Sequence, residues 1–243
     1  LNNYTGFFGG RSLLPERFDV RELEDKLKEL GWGDGGEYGL KEHMLLETLI
    51  YDRIFDKAFE RINENSLEDL TPAERLEVLN QAKSLLKNAT EETLLEYLRY
   101  GVNITVKREK RTYILIDFDH IGENTFTYAH ELKFPGSPEN TKPDFTLLVN
   151  GIPVAIIEVK PSTRIGSVNE AIDQIRRYEQ QSPDLFRFVQ LGIAYADEKR
   201  FTPTFPNWTR EKRIIPAQPW KVKKKINGKT IREENIYHLL KPE

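Results

Sequence analysis

The sequence contains no cysteine and a single methionine in 243 residues. Without thiols there can be no disulfides and no thiolate metal site, and a reducing compartment, the cytoplasm, suits such a chain. No apolar run approaches the roughly 20 residues of a membrane span, and no signal peptide stands at the start, so no membrane partner is expected. A Gly-x-x-x-x-Gly-Lys-Ser/Thr loop is also missing, which excludes ATP hydrolysis by these residues. Positive charge is not in excess either: 36 Lys and Arg stand against 39 Asp and Glu, for a net charge of −3. A nucleic-acid binder of this composition must gather its cations locally. Residues 107–111 and 221–225 are two such clusters, and a solvated hairpin tip or tail is the competing account of each.

What is present is ordinary for a globular protein, with 38% hydrophobic and 31% charged residues. The length allows one large domain or two small ones. Residues 1–101 read as helical. Asp19 with Glu22 resembles a capping box, Leu23, Leu27 and Leu30 follow at helical spacing, and Gly31 ends the run. The Gly-rich residues 31–39 read as a flexible connection. A longer helix then carries Met44, Leu45, Ile54, Phe55, Ala58, Phe59 and Ile62. Thr71, Pro72 and Glu74 form the start of another, and Thr90 and Gly101 bracket a short last one.

From residue 102 the period changes. Val102, Ile104 and Val106 alternate, as do Ile114, Ile116 and Phe118, which predicts a hairpin with a charged turn between them. Residues 125–134, 145–149, 152–160 and 188–196 read as further strands. Residues 167–181 read as a helix capped by Ser167 with Glu170. Residues 102–200 thus form an α/β core with a mixed, mostly antiparallel sheet flanked by helices. Residues 201–243 look irregular, apart from a small hairpin at Asn227-Gly228 and a short helix at 236–240.

The strand at 152–160 carries the chemistry. It is apolar on both faces, as a central strand is, yet ends in Glu158 and Lys160, which are costly to bury unless paired or bound to a metal. Asp144 heads the preceding strand. A strict two-residue turn at Asn150-Gly151 would pair position 144 with 157 and turn the two carboxylates to opposite faces. A bulge near Ile152-Pro153, where Pro153 lacks a ladder N–H, or a three-residue loop would pair 144 with 158 instead. The expectation is therefore an irregular hairpin with both carboxylates on one face. Two such carboxylates are suitable hard ligands for Mg²⁺, and Lys160 could activate a water or hold a phosphate's charge. A strand-end ion pair in solvent is the bland alternative.

Pro143-Asp144, thirteen residues, then Glu158-Val159-Lys160 resembles the PD-(D/E)xK nuclease motif. The surroundings are more specific. Residues 143–153 with 156–160, the upstream Leu115-Ile116-Asp117-Phe118 and Asn124-Thr125-Phe126, and the downstream Gln174-Ile175-Arg176-Arg177-Tyr178 and Pro183-Asp184-Leu185-Phe186-Arg187 carry the rest. Together they resemble the N-terminal nuclease domain of the restriction subunit of type I restriction–modification enzymes. The resemblance implies a restriction-endonuclease-like core with Asp144 and Glu158 as ligands of Mg²⁺, or Mn²⁺, and Lys160 as the catalytic lysine. It further implies that Gln174 and Tyr178 support activity or position DNA, for which a half-exposed helix face is the competing account. Many nucleases of this class add an acidic residue from the first helix. Glu22 and Glu24 are the candidates here, with ordinary helix-surface charge as the alternative. Asp117, Asp119 and His130 read as structural.

The resemblance implies double-stranded DNA as substrate, with methyltransferase and specificity subunits as partners. ATP would be used only by a helicase motor absent from this sequence, toward which residues 201–243 would lead. The alternatives are a stand-alone nuclease of the same fold and a catalytically silent domain that binds DNA or partner subunits. A motor encoded downstream would separate the first alternative. Intact Asp144, Glu158 and Lys160 argue against the second.

Overall fold

A computed structural model describes residues 15–203 and 216–242. The expected absence of a signal peptide concerns residues outside that range. So does part of the stretch read as irregular, residues 204–215.

The chain opens with helix α1 (Pro15–Glu29), which buries Leu23 and Leu27 completely. The helix begins upstream of Asp19, so the Asp19–Glu22 capping box is not formed and the Asp19 carboxylate is used elsewhere. The Gly-rich stretch is not a loose connection. It forms a two-residue edge strand, β1 (Gly33–Asp34), and a 3-10 turn (Gly35–Tyr38). Met44 and Leu45 precede α2 (Asp52–Ile62) rather than belonging to it, because Leu45 bridges to Lys133 beside the sheet. Short α3 (Glu64–Leu67) follows. The sequence signals then match closely. Thr71 and Glu74 make a reciprocal capping box for α4 (Pro72–Asn88), and Thr90 caps α5 (Glu91–Tyr100), with Gly101 after it.

The first hairpin is tighter than its pattern suggested. Strand β2 (Val102–Val106) pairs with β3 (Glu109–Tyr113), the segment expected to be a turn, and residues 114–118 are not a strand. Lys107 and Arg108 both take positive φ, 51° and 67°, the two-residue turn that matches strand twist. Two of its four cations are held locally: Arg111 grips Asp69 through two hydrogen bonds of 2.6 and 2.9 Å, and Lys107 faces Asp69 and Glu74.

The main sheet contains β4 (Phe126–His130), β5 (Phe145–Val149), β6 (Ile152–Val159), β7 (Leu191–Tyr195) and β8 (Lys199–Pro203), in the order β1-β4-β5-β6-β7-β8. It is mixed: β1 runs parallel to β4 and β6 parallel to β7, while the other neighbours are antiparallel. The parallel step from β6 to β7 is crossed by α6 (Ser167–Gln181) and α7 (Pro183–Phe188). Gly166 is the N-cap of α6, so Ser167 lies inside the helix and is not its cap. One sheet face packs α1 and α8 (Ile236–Leu239) around Phe145, Ile157, Val159 and Tyr195. The other packs α2 and α4–α7 around Leu148, Ile156, Ile175 and Ala194. Residues 1–101, read as the helical N-terminal part of the nuclease domain, supply α1 to one of the sheet's cores and α2, α4 and α5 to the other. Beyond the sheet, β9 (Lys221–Ile226) and β10 (Lys229–Glu234) make a detached two-stranded hairpin. Among the described residues no helix is long and apolar enough to cross a membrane.

Candidate metal and catalytic site

The hairpin of β5 and β6 decides the site. Its turn is the two-residue Asn150-Gly151, with φ of 52° and 77°, and Val149 stands opposite Ile152. By itself this is the register that would turn the carboxylates apart. The register then shifts between Leu147 and Leu148: Leu148 pairs with Pro153, but Leu147 pairs with Ala155, so Val154 is the extra residue of a bulge. Past the bulge Phe145 pairs with Ile157, and one further step sets Asp144 opposite Glu158. The expected irregularity is present, one residue beyond Pro153.

The turn is braced from within. Asn150, 1% exposed, donates to the Leu115 carbonyl and to Asn124 Oδ1, both at 2.8 Å, and accepts from the Thr125 N–H at 2.7 Å. Asn124 in turn donates to the Asp117 carbonyl. Several motif residues that flank the site in sequence thus serve to hold its hairpin. Asp117 accepts from the backbone of Asp119 and His120, a structural role as anticipated.

At the end of β6, Glu158 is 1% exposed, deep for a carboxylate. Its Oε1 accepts from Lys160 Nζ at 2.7 Å, while Oε2 is buried and receives no hydrogen bond. Asp144 Oδ2 accepts from the Val159 N–H at 2.7 Å, which holds it against the same strand end. Burial pushes the Glu158 carboxyl up to about 8, the neighbouring Asp144 charge adds to this, and Lys160 opposes it. The backbone of Lys160 is fixed by donation to the Tyr195 carbonyl on β7.

Gln174 and Tyr178, one turn apart on α6, meet the same end of the sheet. Gln174 Nε2 donates to Tyr178 Oη at 2.6 Å, and Tyr178 Oη donates to the Lys142 carbonyl at 2.9 Å. Burial, with Glu158 and Asp144 nearby, raises the Tyr178 phenol well above its ordinary range, so it stays a donor. The pair therefore ties α6 to the backbone two residues before Asp144.

The two candidate acids on α1 each have partners of their own. Glu22 accepts weakly from Tyr195 and Tyr237 at 3.4 Å, and Glu24 accepts from Lys28 at 2.7 Å and Tyr128 at 3.0 Å. Burial pushes Glu24 upward, but these donors and His130 outweigh it and leave the carboxyl below its usual value. The α1 acid that does reach the end of β6 is Asp19, 4% exposed, which accepts from the Ser162 N–H at 2.9 Å and hydroxyl at 2.8 Å. Sequence reading assigned Asp19 to a helix cap, and no local signal ties it to a residue 143 positions away. A second carboxylate–imidazole group, Glu42, His43 and Glu131, lies at the surface, where Lys142 already neutralises Glu131.

Residues 18–211, which include all seven candidates, match the family model for the N terminus of the type I restriction enzyme R protein. The chain belongs to that family. It is 36% identical over 237 residues to a Methanocaldococcus jannaschii protein assigned as the type I restriction enzyme MjaVIIIP endonuclease subunit, covering 95% of this chain and 22% of that one. A second protein of that organism, assigned as the MjaVIIP endonuclease subunit, is 50% identical over 149 residues, or 61% of this chain and 14% of the relative. The Staphylococcus aureus SauMSSORF170P endonuclease subunit is 27% identical over 180 residues, 65% and 18% of the two chains. This chain thus spans about a fifth or less of the relatives it matches.

Proposed function

We propose that this chain is the metal-dependent endonuclease module of a type I restriction enzyme's restriction subunit, hydrolysing phosphodiester bonds of double-stranded DNA. One observation carries the reading: a fully buried glutamate beside a second carboxylate, with one oxygen on a lysine and the other without a donor. Such a pair is costly as it stands, since burial and the neighbouring Asp144 charge both oppose ionisation of Glu158. A divalent cation fits this pair of carboxylates in charge and in ligand chemistry, because Mg²⁺ and Mn²⁺ take carboxylate oxygens.

Asp144 and Glu158 would hold the ion, which when bound supplies Lewis-acid stabilisation of phosphoryl oxygen and a more acidic water. In hydrolysis a water oxygen bonds to phosphorus, the bond to one ester oxygen breaks, and a proton ends on that oxygen. Lys160 Nζ sits where it can hydrogen-bond the attacking water or the charge that develops on the phosphate. Glu158 keeps that ammonium in place through Oε1. Tyr178 and Gln174 act indirectly, by fixing the Lys142 carbonyl and so the approach to Asp144. The far greater length of the relatives favours a module of a larger subunit over a stand-alone nuclease. In that subunit a motor would use ATP, methyltransferase and specificity subunits would be the partners, and the cytoplasm would be the place of action.

The test is divalent-metal titration by calorimetry of the wild-type chain against Asp144→Ala. The expected result is a wild-type site that the variant loses, with affinity down by tenfold or more. Identical binding in the two would remove the assignment and leave the silent DNA- or partner-binding domain. In the assembled enzyme, Lys160→Ala should abolish cleavage while ATP hydrolysis continues.

A further inference from the structure

The hairpin of β9 and β10 does nothing for the fold that packing can explain. Apart from half-buried Val222, every residue in its two strands is exposed. An isolated two-stranded hairpin is marginal in water. Its fourteen residues carry a net charge of +4 in a chain whose total is −3, so the rest of the molecule is strongly acidic. The hairpin also lies outside the span that the family model matches.

The register sorts these charges onto faces. Cross-strand partners share a face, so Lys221, Lys223 and Lys225 lie with Glu234, Arg232 and Thr230 opposite them. The other face holds Val222, Lys224 and Ile226 with Glu233, Ile231 and Lys229. There Lys224 pairs with Glu233 at 3.1 Å. On the basic face, among the described residues, only Lys221 has a carboxylate, Glu234 at 3.6 Å. Lys223 stands directly opposite Arg232, and like charges in that position destabilise a hairpin. Among the described residues neither of them, nor Lys225, has a salt-bridge partner. Lysines that merely blunt a sheet edge would not need to gather on one face, nor to oppose an arginine.

The hairpin's root points to what relieves this repulsion. The cross-strand row that holds Glu158 continues through Ala194 to Arg200 on β8, about 10 Å away at two strand spacings. Arg200 reaches Glu234, the last residue of β10, at 3.6 Å. The basic face therefore projects from the sheet edge next to the proposed cutting site, where the flanking backbone of a bound duplex would run. We infer that the β9–β10 hairpin is a duplex-DNA contact whose Lys223, Lys225 and Arg232 grip the phosphate backbone beside that site. The inference rests on the nuclease reading only for the identity of the polyanion.

The experiment is fluorescence-anisotropy binding of a labelled duplex to the 243-residue chain in EDTA, where hydrolysis is off, across a salt series. The Lys223→Ala/Lys225→Ala/Arg232→Ala variant should bind about tenfold more weakly at moderate salt, with a log–log salt slope shallower by about 0.9 per lost contact. Lys224→Ala/Lys229→Ala, on the opposite face, should change both far less. Unchanged affinity and slope in the triple variant, equal loss from the opposite-face pair, or no duplex binding by the wild type would each overturn the inference. So would tighter binding to anionic phospholipid vesicles than to duplex at equal salt. The two readings fail separately: metal titration of Asp144→Ala reads the cutting site alone, while duplex affinity of the hairpin variants in EDTA reads the hairpin alone.

Discussion

Two hairpins in this chain turn on the same dipeptide, and they serve opposite ends. Asn150-Gly151 joins β5 to β6, and Asn227-Gly228 joins β9 to β10; all four residues have positive φ between 49° and 77°. The local chemistry is the same, since Asn and Gly are the residues that take left-handed backbone most readily. The first hairpin is buried in the sheet, closes against α2 and breaks its register with a bulge. The second is solvated and keeps six regular pairs. The buried hairpin uses its irregularity to bring two carboxylates to one strand end. The exposed one uses its regularity to keep cations on one face. A turn signal thus predicts that a hairpin forms, while the ladder beyond the turn determines what the hairpin presents.

The sharpest way to break this comparison is at the glycines. A Cβ on Gly151 would lie 2.6 Å from the Tyr51 carbonyl oxygen and 2.9 Å from the Phe55 nitrogen, both backbone atoms, whereas one on Gly228 meets open space. Gly228→Ala should cost only the left-handed backbone penalty of about 1–2 kcal/mol. Gly151→Ala should add the clash and cost roughly 3–5 kcal/mol, a loss large enough to unfold a marginal domain. Urea denaturation of the two variants reads the difference directly, and equal losses would mean that the turns are not held differently.

A somewhat smaller gap is expected at the asparagines. Asn150→Ala and Asn227→Ala share the same backbone penalty, so their difference isolates the side-chain bonds. Asn150→Ala leaves the Leu115 carbonyl and the Thr125 N–H without partners, while Asn124 Oδ1 keeps the Asp117 N–H, so it should cost about 1–2 kcal/mol more than Asn227→Ala. Near-equal midpoints with unchanged m-values would show that water replaces those bonds.

Much of this was legible in the sequence, and the failures share a cause. Capping of α4 and α5, the NG turns and the central apolar strand are local signals, and the structure bears each of them out. The need for a bulge or a three-residue loop followed from parity, once Asp144 and Glu158 were required on one face, and the structure has the bulge. What failed depended on distant partners. Asp19 looked like a cap because its partner, Ser162, is far away in the chain. The stretch at 31–39 looked loose because β1 is ordered by β4, not by its own residues. The charged segment 109–113 looked like a turn because its ion pair with Asp69 is not written locally.

The surroundings of the buried hairpin should also respond to pH, and this is the smallest effect. Helix α6, which covers the buried hairpin, carries Glu179, whose carboxyl is pushed up to about 7 by burial, with Arg176 only partly opposing the shift. Below about pH 4.5 this group is protonated in both folded and unfolded chains and favours neither. Between about 4.5 and 7 the folded chain keeps a proton that the unfolded chain releases, so stability falls as pH rises through that window and levels off above it. Glu158, raised in the same direction, contributes a slope of the same sign. Comparing Glu179→Gln with the wild type cancels that background, and the variant should have a flatter dependence of urea midpoint on pH from about 4.5 to 7. A Glu179→Gln curve parallel to the wild type would mean that water already reaches that carboxylate, and that the helix covers the site less tightly than its packing implies.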